Sequence, residues 1–250
     1  MAKIPEKDQV LVSEEEDEGA LYDSDAVWGI QESGLDLGDE ELGHGPEMYI
    51  TSDKAYIVGM GDGWESAEPG VEHAMATKVM MSLRMCAREW SNDEPLLIHL
   101  KTCGGHWDQG MAIHNAIQMY PAPVVILNYA EARSMSSIIY CAGDRRVMMP
   151  DGKFMFHTGF IAGEWTGRQF RTEYVEWEKS MIRMKAVYVE RMQEEGSNAQ
   201  GWSDQLCDEW LEKKMYEHED AYLDADESVQ WGFTNYIFAG DWDELVQFDD

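Results

Sequence analysis

The sequence contains few basic residues for its length. Only 19 of its 250 residues are Lys or Arg, whereas 49 are Asp or Glu, so the formal net charge is −30. Nucleic-acid-binding proteins need a cationic face to neutralise phosphates, and basic segments are what an anionic membrane surface attracts. The composition therefore argues against a nucleic-acid partner and against docking on a membrane.

Long apolar segments are also missing. No apolar stretch approaches the roughly 18 residues of a transmembrane helix. Charged residues interrupt the first twelve positions, whereas a signal peptide needs an uninterrupted apolar stretch. None of the four cysteines forms a CxxC pair, which favours buried free thiols in a reducing compartment over a disulfide framework. We expect a cytoplasmic protein.

Motifs that hold metals or phosphates are absent as well. None of the seven histidines has a second histidine four residues away, and the sequence contains neither HExxH nor GxxxxGK[ST]. We therefore expect no metal and no cofactor of the chain's own.

Charge divides the chain into three parts. Residues 1–46 contain fourteen acidic residues and two lysines, which predicts an extended or disordered acidic arm. Residues 47–240 are predicted to form one domain, since 44% of the chain is hydrophobic and can bury a core. Residues 241–250 form an acidic tail without a basic residue.

Strand-like and helix-like segments alternate from about residue 53. The predicted segments are strand 54–60, helix 71–90, strand 96–100, helix 105–119, strand 123–127, helix 134–141, and strands 145–149 and 153–157. This alternation is typical of an α/β fold in which helices cover parallel strands. Ligand sites in such folds lie beyond the carboxyl ends of strands, which directs attention to residues 101–106 and 130–136.

One predicted helix is unusually long. Residues 168–195 contain neither Pro nor Gly and, at 1.5 Å per residue, would span about 40 Å. We expect this helix to project and pack against another copy of the chain; the alternative is a helix folded back along its own domain.

Three short segments carry residues that are suited to nucleophilic catalysis. Ser134 stands at a helix start, where backbone N–H groups stabilise negative charge, although a helix cap is the commoner role of serine. Gly104 and Gly105 follow a strand and allow a ligand to approach the backbone closely. His157 ends another strand. Each segment by itself is more often structural.

In this order the segments resemble the proteolytic subunit of the Clp protease, ClpP, within the wider ClpP/crotonase fold. The matching motifs are Lys101–Gly105 followed by Gly110–Ile113, Arg133–Met135 followed by Ala142–Gly143, Met155–His157, Glu219–Leu223 and Glu227–Phe233. The resemblance covers about residues 53–240. It implies repeated β-α-β units with a long projecting handle helix at about 166–195.

The resemblance also implies a function. It assigns Ser134 as nucleophile, His157 as general base, Asp220 as the carboxylate that orients the base, and the amides of Gly105 and Met135 as the oxyanion hole. It implies a serine endopeptidase that assembles into a double ring around a chamber and cleaves polypeptides. ATP would act only through a separate ATP-driven unfoldase partner.

The sequence departs from the family pattern near this site. Cys103 replaces a proline, Ala130 a glycine, and Arg133 and Ser136 small residues. Arg133 stands next to the nucleophile, where it would crowd the site or favour acidic substrates.

Several alternatives stay open at this point. Glu219 and Asp224 are acidic neighbours of Asp220 that compete for its role. A catalytically idle ring subunit and a virus-encoded protease of capsid maturation share the fold. A crotonase-type acyl-CoA enzyme shares it too, but the charge of −30 disfavours an anionic cofactor.

Overall fold

The structure is a computed structural model that describes residues 30–32, 46–51, 70–89 and 94–248. The predicted strand 54–60 and most of the predicted acidic arm 1–46 lie outside these residues.

Strands and helices alternate along the described chain. The strands are β1 (Ile30–Glu32), β2 (Pro46–Thr51), β3 (Leu96–Thr102), β4 (Val124–Arg133), β5 (Arg145–Met148), β6 (Lys153–Phe156), β7 (Ala221–Leu223) and β8 (Tyr236–Ile237). The helices are α1 (His73–Glu89), α2 (Trp107–Gln118), α3 (Met135–Tyr140), α4 (Gly167–Glu195), α5 (Asp204–His218), α6 (Ala225–Gln230) and α7 (Trp242–Val246). A short 3-10 helix spans Ser197–Ala199.

The strands form one sheet in the order β1-β2-β3-β4-β5-β8. Neighbours from β2 to β8 run parallel, whereas β1 is antiparallel to β2. Strand β6 pairs in parallel with the end of β4, and β7 pairs antiparallel with β6. The predicted α/β fold with parallel strands is confirmed.

Strand β4 is longer than the sequence predicted. The expected strand 123–127 continues to Arg133, through residues that were not predicted to belong to a strand. Its first half pairs with β5, and its last three residues pair with β6, so a second partner supports the extension. The register against β3 shifts between Leu100 and Thr102, which marks an irregularity where the sheet divides.

The sheet is buried on both faces. Side chains of a strand alternate between faces, so Ile98 and Leu100 join the main core below the helices, whereas Leu97 and Leu127 join a smaller cluster on the other face. This explains the nearly continuous apolar runs of β3 and β4. Helix α7 covers the smaller cluster with Leu245, so the acidic C-terminal segment contributes to the packing.

Helix α4 corresponds to the predicted handle. It begins with a capping box at Thr166 and has 29 residues. Its N-terminal half is largely exposed, and its buried residues, among them Met184, Tyr188 and Met192, all lie in the C-terminal half. The helix is therefore anchored at one end and projects at the other. Among the described helices, none has the length and apolar character needed to span a membrane.

Candidate active site

The candidate site lies where three parallel strands end. Ser134 directly follows β4, His157 directly follows β6, and Gly104 and Gly105 come shortly after β3. Because these strands are parallel, their carboxyl ends meet at one edge of the sheet. Asp220 reaches the same edge from the opposite direction, since it directly precedes the antiparallel strand β7.

Ser134 forms a sharp turn between β4 and α3. Its backbone angles are φ 52° and ψ −124°, and its amide N–H donates to the Met155 carbonyl at 2.9 Å. A non-glycine residue in this conformation costs about 1–3 kcal/mol and persists only where its surroundings hold it. A strand-turn-helix of this kind presents the serine hydroxyl at the tip of the turn.

The imidazole of His157 contacts the serine hydroxyl. The distance from His157 Nε2 to Ser134 Oγ is 2.7 Å, and that from His157 Nδ1 to Asp220 Oδ1 is 2.9 Å. An ionised carboxylate can only accept, so Nδ1–H donates to Asp220 and the unprotonated Nε2 accepts from the Ser134 hydroxyl. The structure thus joins the three side chains in one chain of hydrogen bonds.

Strand pairing explains why His157 and Asp220 meet. Phe156 is paired with Ala221 in the antiparallel β6–β7 ladder, so the next residues outward, His157 and Asp220, lie opposite each other. Glu219 adopts φ 57° and ψ −65°, and the Asp220 amide donates to the His218 carbonyl at 2.6 Å. This three-residue turn directs the chain from α5 into β7 and sets the position of Asp220.

The glycine turn after β3 packs directly against the backbone around Ser134. Gly104 has φ 96°, and a Cβ atom there would lie 2.6 Å from the Arg133 carbonyl oxygen and 2.9 Å from the Met135 nitrogen. At Gly105, a Cβ atom would lie 2.4 Å from the Val71 carbonyl oxygen. Both positions therefore require glycine for close approach as well as for backbone conformation.

Two amide groups are left available beside Ser134. Val71 donates to the Gly104 carbonyl and accepts from the His106 amide, so its parallel bridge to Gly105 leaves the Gly105 N–H pointing away. Met135 is the first residue of α3, where the helix provides no acceptor. Within the described residues, neither the Gly105 nor the Met135 N–H donates a hydrogen bond.

With this geometry in place, the comparison with known families is decisive. A model of the Clp protease family matches residues 66–241, which is more than half of the chain. The chain belongs to the Clp protease family.

Curated relatives of the Clp protease family match at low identity. The chain is 26% identical to ATP-dependent Clp protease proteolytic subunit 2 of Pseudomonas aeruginosa over 176 residues, which cover 69% of this chain and 79% of the relative. It is 25% identical to proteolytic subunit 2 of Treponema denticola over 171 residues, 67% of this chain and 77% of the relative. Proteolytic subunit 1 of Chlamydia muridarum is 27% identical over 151 residues, 59% of this chain and 71% of the relative.

A solved structure of the family shares the fold. A ClpP1 mutant from Listeria monocytogenes superposes with a TM-score of 0.56 and 24% identity, covering 70% of this chain and 90% of the other. At this identity the likeness concerns the fold, and it agrees with the sheet and the long helix described above.

Two departures from the Clp protease pattern lie at the edge of the site. Arg133 forms an ion pair with Glu131, with 3.2 Å between Nη1 and Oε2, and about 30% of each side chain is exposed. Cys103 is half-buried in the glycine turn. Within the described residues, no group of three His, Cys, Asp or Glu side chains is arranged to hold a metal ion.

Another departure, Ser136, ties the two turns of the site together. Its buried hydroxyl accepts from the Arg133 amide at 2.7 Å and donates to the Thr102 carbonyl at 2.6 Å. Because Thr102 ends β3 and Arg133 ends β4, this hydroxyl holds the two strand ends together. In the sequence, Ser136 stood out only as the replacement of a small residue of the family pattern, and its hydroxyl within a predicted helix was the signal available.

Proposed function

We propose that this Clp protease family member is a serine endopeptidase with Ser134 as nucleophile, His157 as general base and Asp220 as the residue that orients the base. The observation that carries the proposal is the unbroken chain of hydrogen bonds, 2.7 Å from Ser134 to His157 and 2.9 Å from His157 to Asp220. An unactivated serine is a weak nucleophile, and this arrangement supplies its base.

Acylation follows from the geometry of the three side chains. His157 Nε2 takes the hydroxyl proton while Ser134 Oγ bonds to the carbonyl carbon of the scissile peptide. The imidazolium is stabilised by Asp220, and it then protonates the leaving amine as the C–N bond breaks. The products of this step are a free amine and a serine ester.

Deacylation repeats the sequence with water. His157 removes a proton from the water as the water oxygen bonds to the ester carbon. The imidazolium then returns this proton to Ser134 Oγ as the ester C–O bond breaks, which releases the carboxylic acid. In both steps the oxyanion is stabilised by the amides of Gly105 and Met135. Each such donor can contribute about 3–4 kcal/mol to the transition state.

The assembled form of the proposed protease is a ring-shaped chamber. Family membership supports an oligomeric ring, and the projecting half of α4 offers a surface for contact between copies. We further propose that two rings enclose the chamber and that a separate ATP-driven unfoldase delivers unfolded polypeptides. The names of the relatives, which include "ATP-dependent", support a partner of this kind.

Fluorophosphonate labelling followed by peptide mapping tests the nucleophile. Wild-type protein should carry the label on Ser134 and hydrolyse unstructured fluorogenic peptides. Ser134→Ala should abolish both, because no other hydroxyl forms a hydrogen bond with the His157 ring among the described residues. Ser197→Ala removes an exposed hydroxyl of the 3-10 helix and serves as the matched control that keeps label and activity.

Equal labelling of Ser134→Ala and wild type would show that the nucleophile is wrong. Absence of both labelling and hydrolysis in folded, assembled wild-type protein would instead favour the catalytically idle ring subunit.

A further inference from the structure

Two buried hydroxyls lie directly behind the peptide group that follows Ser134. The Ser137 hydroxyl donates to the Ser134 carbonyl oxygen at 2.6 Å, and the Tyr188 hydroxyl lies 2.7 Å from Ser137 Oγ. Ser137 belongs to α3, Tyr188 belongs to the anchored half of α4, and both residues have no exposed surface. A hydrogen-bond chain therefore runs from the long helix to the backbone of the proposed nucleophile.

The direction of this chain is determined by the groups in it. The Ser134 carbonyl oxygen can only accept, so the single hydroxyl hydrogen of Ser137 is committed to it. The Tyr188 hydroxyl must then donate to Ser137 Oγ. Burial raises the pKa of Tyr188, so its hydroxyl keeps the proton that this role requires.

The acceptor at the end of the chain belongs to the proposed oxyanion hole. The Ser134 carbonyl and the Met135 N–H are the two ends of one planar peptide group. The carbonyl also accepts from the Ser137 amide at 3.0 Å, so two donors fix the plane of this peptide. Hydrogen bonds to a carbonyl polarise the peptide and strengthen its N–H as a donor.

We propose that Ser137 and Tyr188 are positioning residues for the oxyanion hole, which aim and polarise the Met135 amide from behind. This inference rests on the proposed serine-protease function. Neither residue reaches the substrate, and each acts through the Ser134–Met135 peptide.

The aromatic ring of Tyr188 also packs against β6, the strand that leads to His157. It packs against Phe154 and Phe156 with centroid distances of 5.8 and 5.6 Å, and Phe156 immediately precedes His157. The anchored half of α4 thus contacts the strand that carries the base as well as the helix that follows the nucleophile. Removing only the hydroxyl of Tyr188 should leave this ring packing intact.

Three conservative variants of the chain distinguish a positioning role of the two hydroxyls from a role in packing alone. Tyr188→Phe and Ser137→Ala each delete one hydroxyl of the chain. Tyr140→Phe is the matched control, because Tyr140 is equally buried and its hydroxyl bonds Thr234 at 3.1 Å instead of the site. Thermal unfolding of each variant reports any general loss of stability.

Tyr188→Phe and Ser137→Ala should each lower kcat about three- to tenfold, the size expected for one lost hydrogen bond, with KM within twofold of wild type. Affinity for a peptide boronate, which forms a tetrahedral adduct, should fall in parallel. The double variant should be no slower than Ser137→Ala alone, since the hydroxyl of Tyr188 acts through Ser137. Tyr140→Phe should leave kcat and boronate affinity unchanged at a similar melting temperature.

The inference is overturned if Tyr188→Phe and Ser137→Ala match the kinetics of Tyr140→Phe, or if the two effects on kcat multiply in the double variant. Failure of the proposed function looks different, because wild-type protein would then neither hydrolyse peptide nor take a fluorophosphonate on Ser134.

Discussion

Backbone strain lies at, or directly beside, residues that carry the proposed chemistry. Within the described chain, the non-glycine residues with positive φ are Ser134 and Glu219. The first is the proposed nucleophile, and the second directly precedes Asp220. Such conformations cost about 1–3 kcal/mol each, so the fold tolerates this cost at the two ends of the hydrogen-bonded chain through His157.

Substitution of Asp220 tests which of the neighbouring acidic residues orients His157. Asp220→Asn should lower kcat about 10⁴-fold, because an amide neither holds the required tautomer of His157 nor stabilises its cation. Asp224→Asn is the matched control: Asp224 caps α6 by accepting from the Glu227 amide at 2.8 Å and does not contact His157. Steady-state hydrolysis of a fluorogenic peptide measures both. Loss of activity in Asp224→Asn with activity retained in Asp220→Asn would reverse the assignment.

At the scale of elements, helix α2 contains a buried histidine that is influenced by charged side chains of α4. His114 has 5% of its surface exposed, and its Nδ1 lies 3.4 Å from Asn115 Oδ1. Burial is the main cause that lowers the pKa of His114, and the charges of Arg183 and Arg191 lower it further, whereas Asn115 and Glu190 oppose them. The fold therefore favours the neutral imidazole of His114.

The lowered pKa of His114 predicts that the stability of the fold depends on pH. The unfolded chain binds a proton at His114 near the ordinary pKa of 6.5, whereas the folded chain does so only at lower pH, so the free energy of unfolding decreases as pH falls below about 6.5. His114→Gln should weaken this decrease in urea unfolding between pH 7.5 and 5.5. His73→Gln, at the exposed start of α1, should keep the wild-type slope. An unchanged slope in His114→Gln would contradict the prediction.

At the scale of the whole molecule, helix α4 exposes apolar side chains although the protein as a whole is strongly acidic. The protein has a net charge of −30, yet the exposed stretch of α4 from Gly167 to Ile182 carries large apolar side chains, of which Ile182 is the most exposed. These residues, each between 42 and 66% exposed, are Phe170, Tyr174, Val175 and Ile182. Apolar surface of this kind on an otherwise charged helix is typical of a contact surface. A second copy of the chain is the partner that the proposed ring supplies.

A charge within this surface should weaken assembly. Burying one isoleucine contributes about 1.5–3 kcal/mol, so Ile182→Asp should shift dissociation to at least tenfold higher protein concentration. Sedimentation velocity over a concentration series measures the shift, and circular dichroism checks the fold of the subunit. Thr172→Asp adds the same charge at an exposed polar position of α4 and should assemble like wild type. Equal assembly of the two variants would show that Ile182 lies outside any contact.

Much of the fold was predictable because it follows from local sequence patterns, namely hydrophobic periodicity and the positions of Pro and Gly. Apolar runs and helical spacing predicted α1, α2, α3, β3, β5 and β6 to within a few residues, and the absence of Pro and Gly predicted the long helix. Strand β2 and the elements after α4 were not predicted. The family resemblance named Ser134, His157 and Asp220, and the structure brings these side chains into contact. Their catalytic roles stay a prediction.

Other features depend on contacts between distant segments. The extension of β4 to Arg133 requires β6 as a second partner, and the burial of Leu245 requires the far face of the sheet. The link from Ser137 to Tyr188 joins residues 51 positions apart, which no local pattern records.

The sequence by itself determined the order of the elements and the kinds of side chain at each strand end, because hydrophobic periodicity and turn residues act locally. Only the tertiary structure decided which of these side chains touch. Hydrogen bonds depend on distances of about 3 Å, and such distances arise only when strands that are far apart in the chain pair in one register.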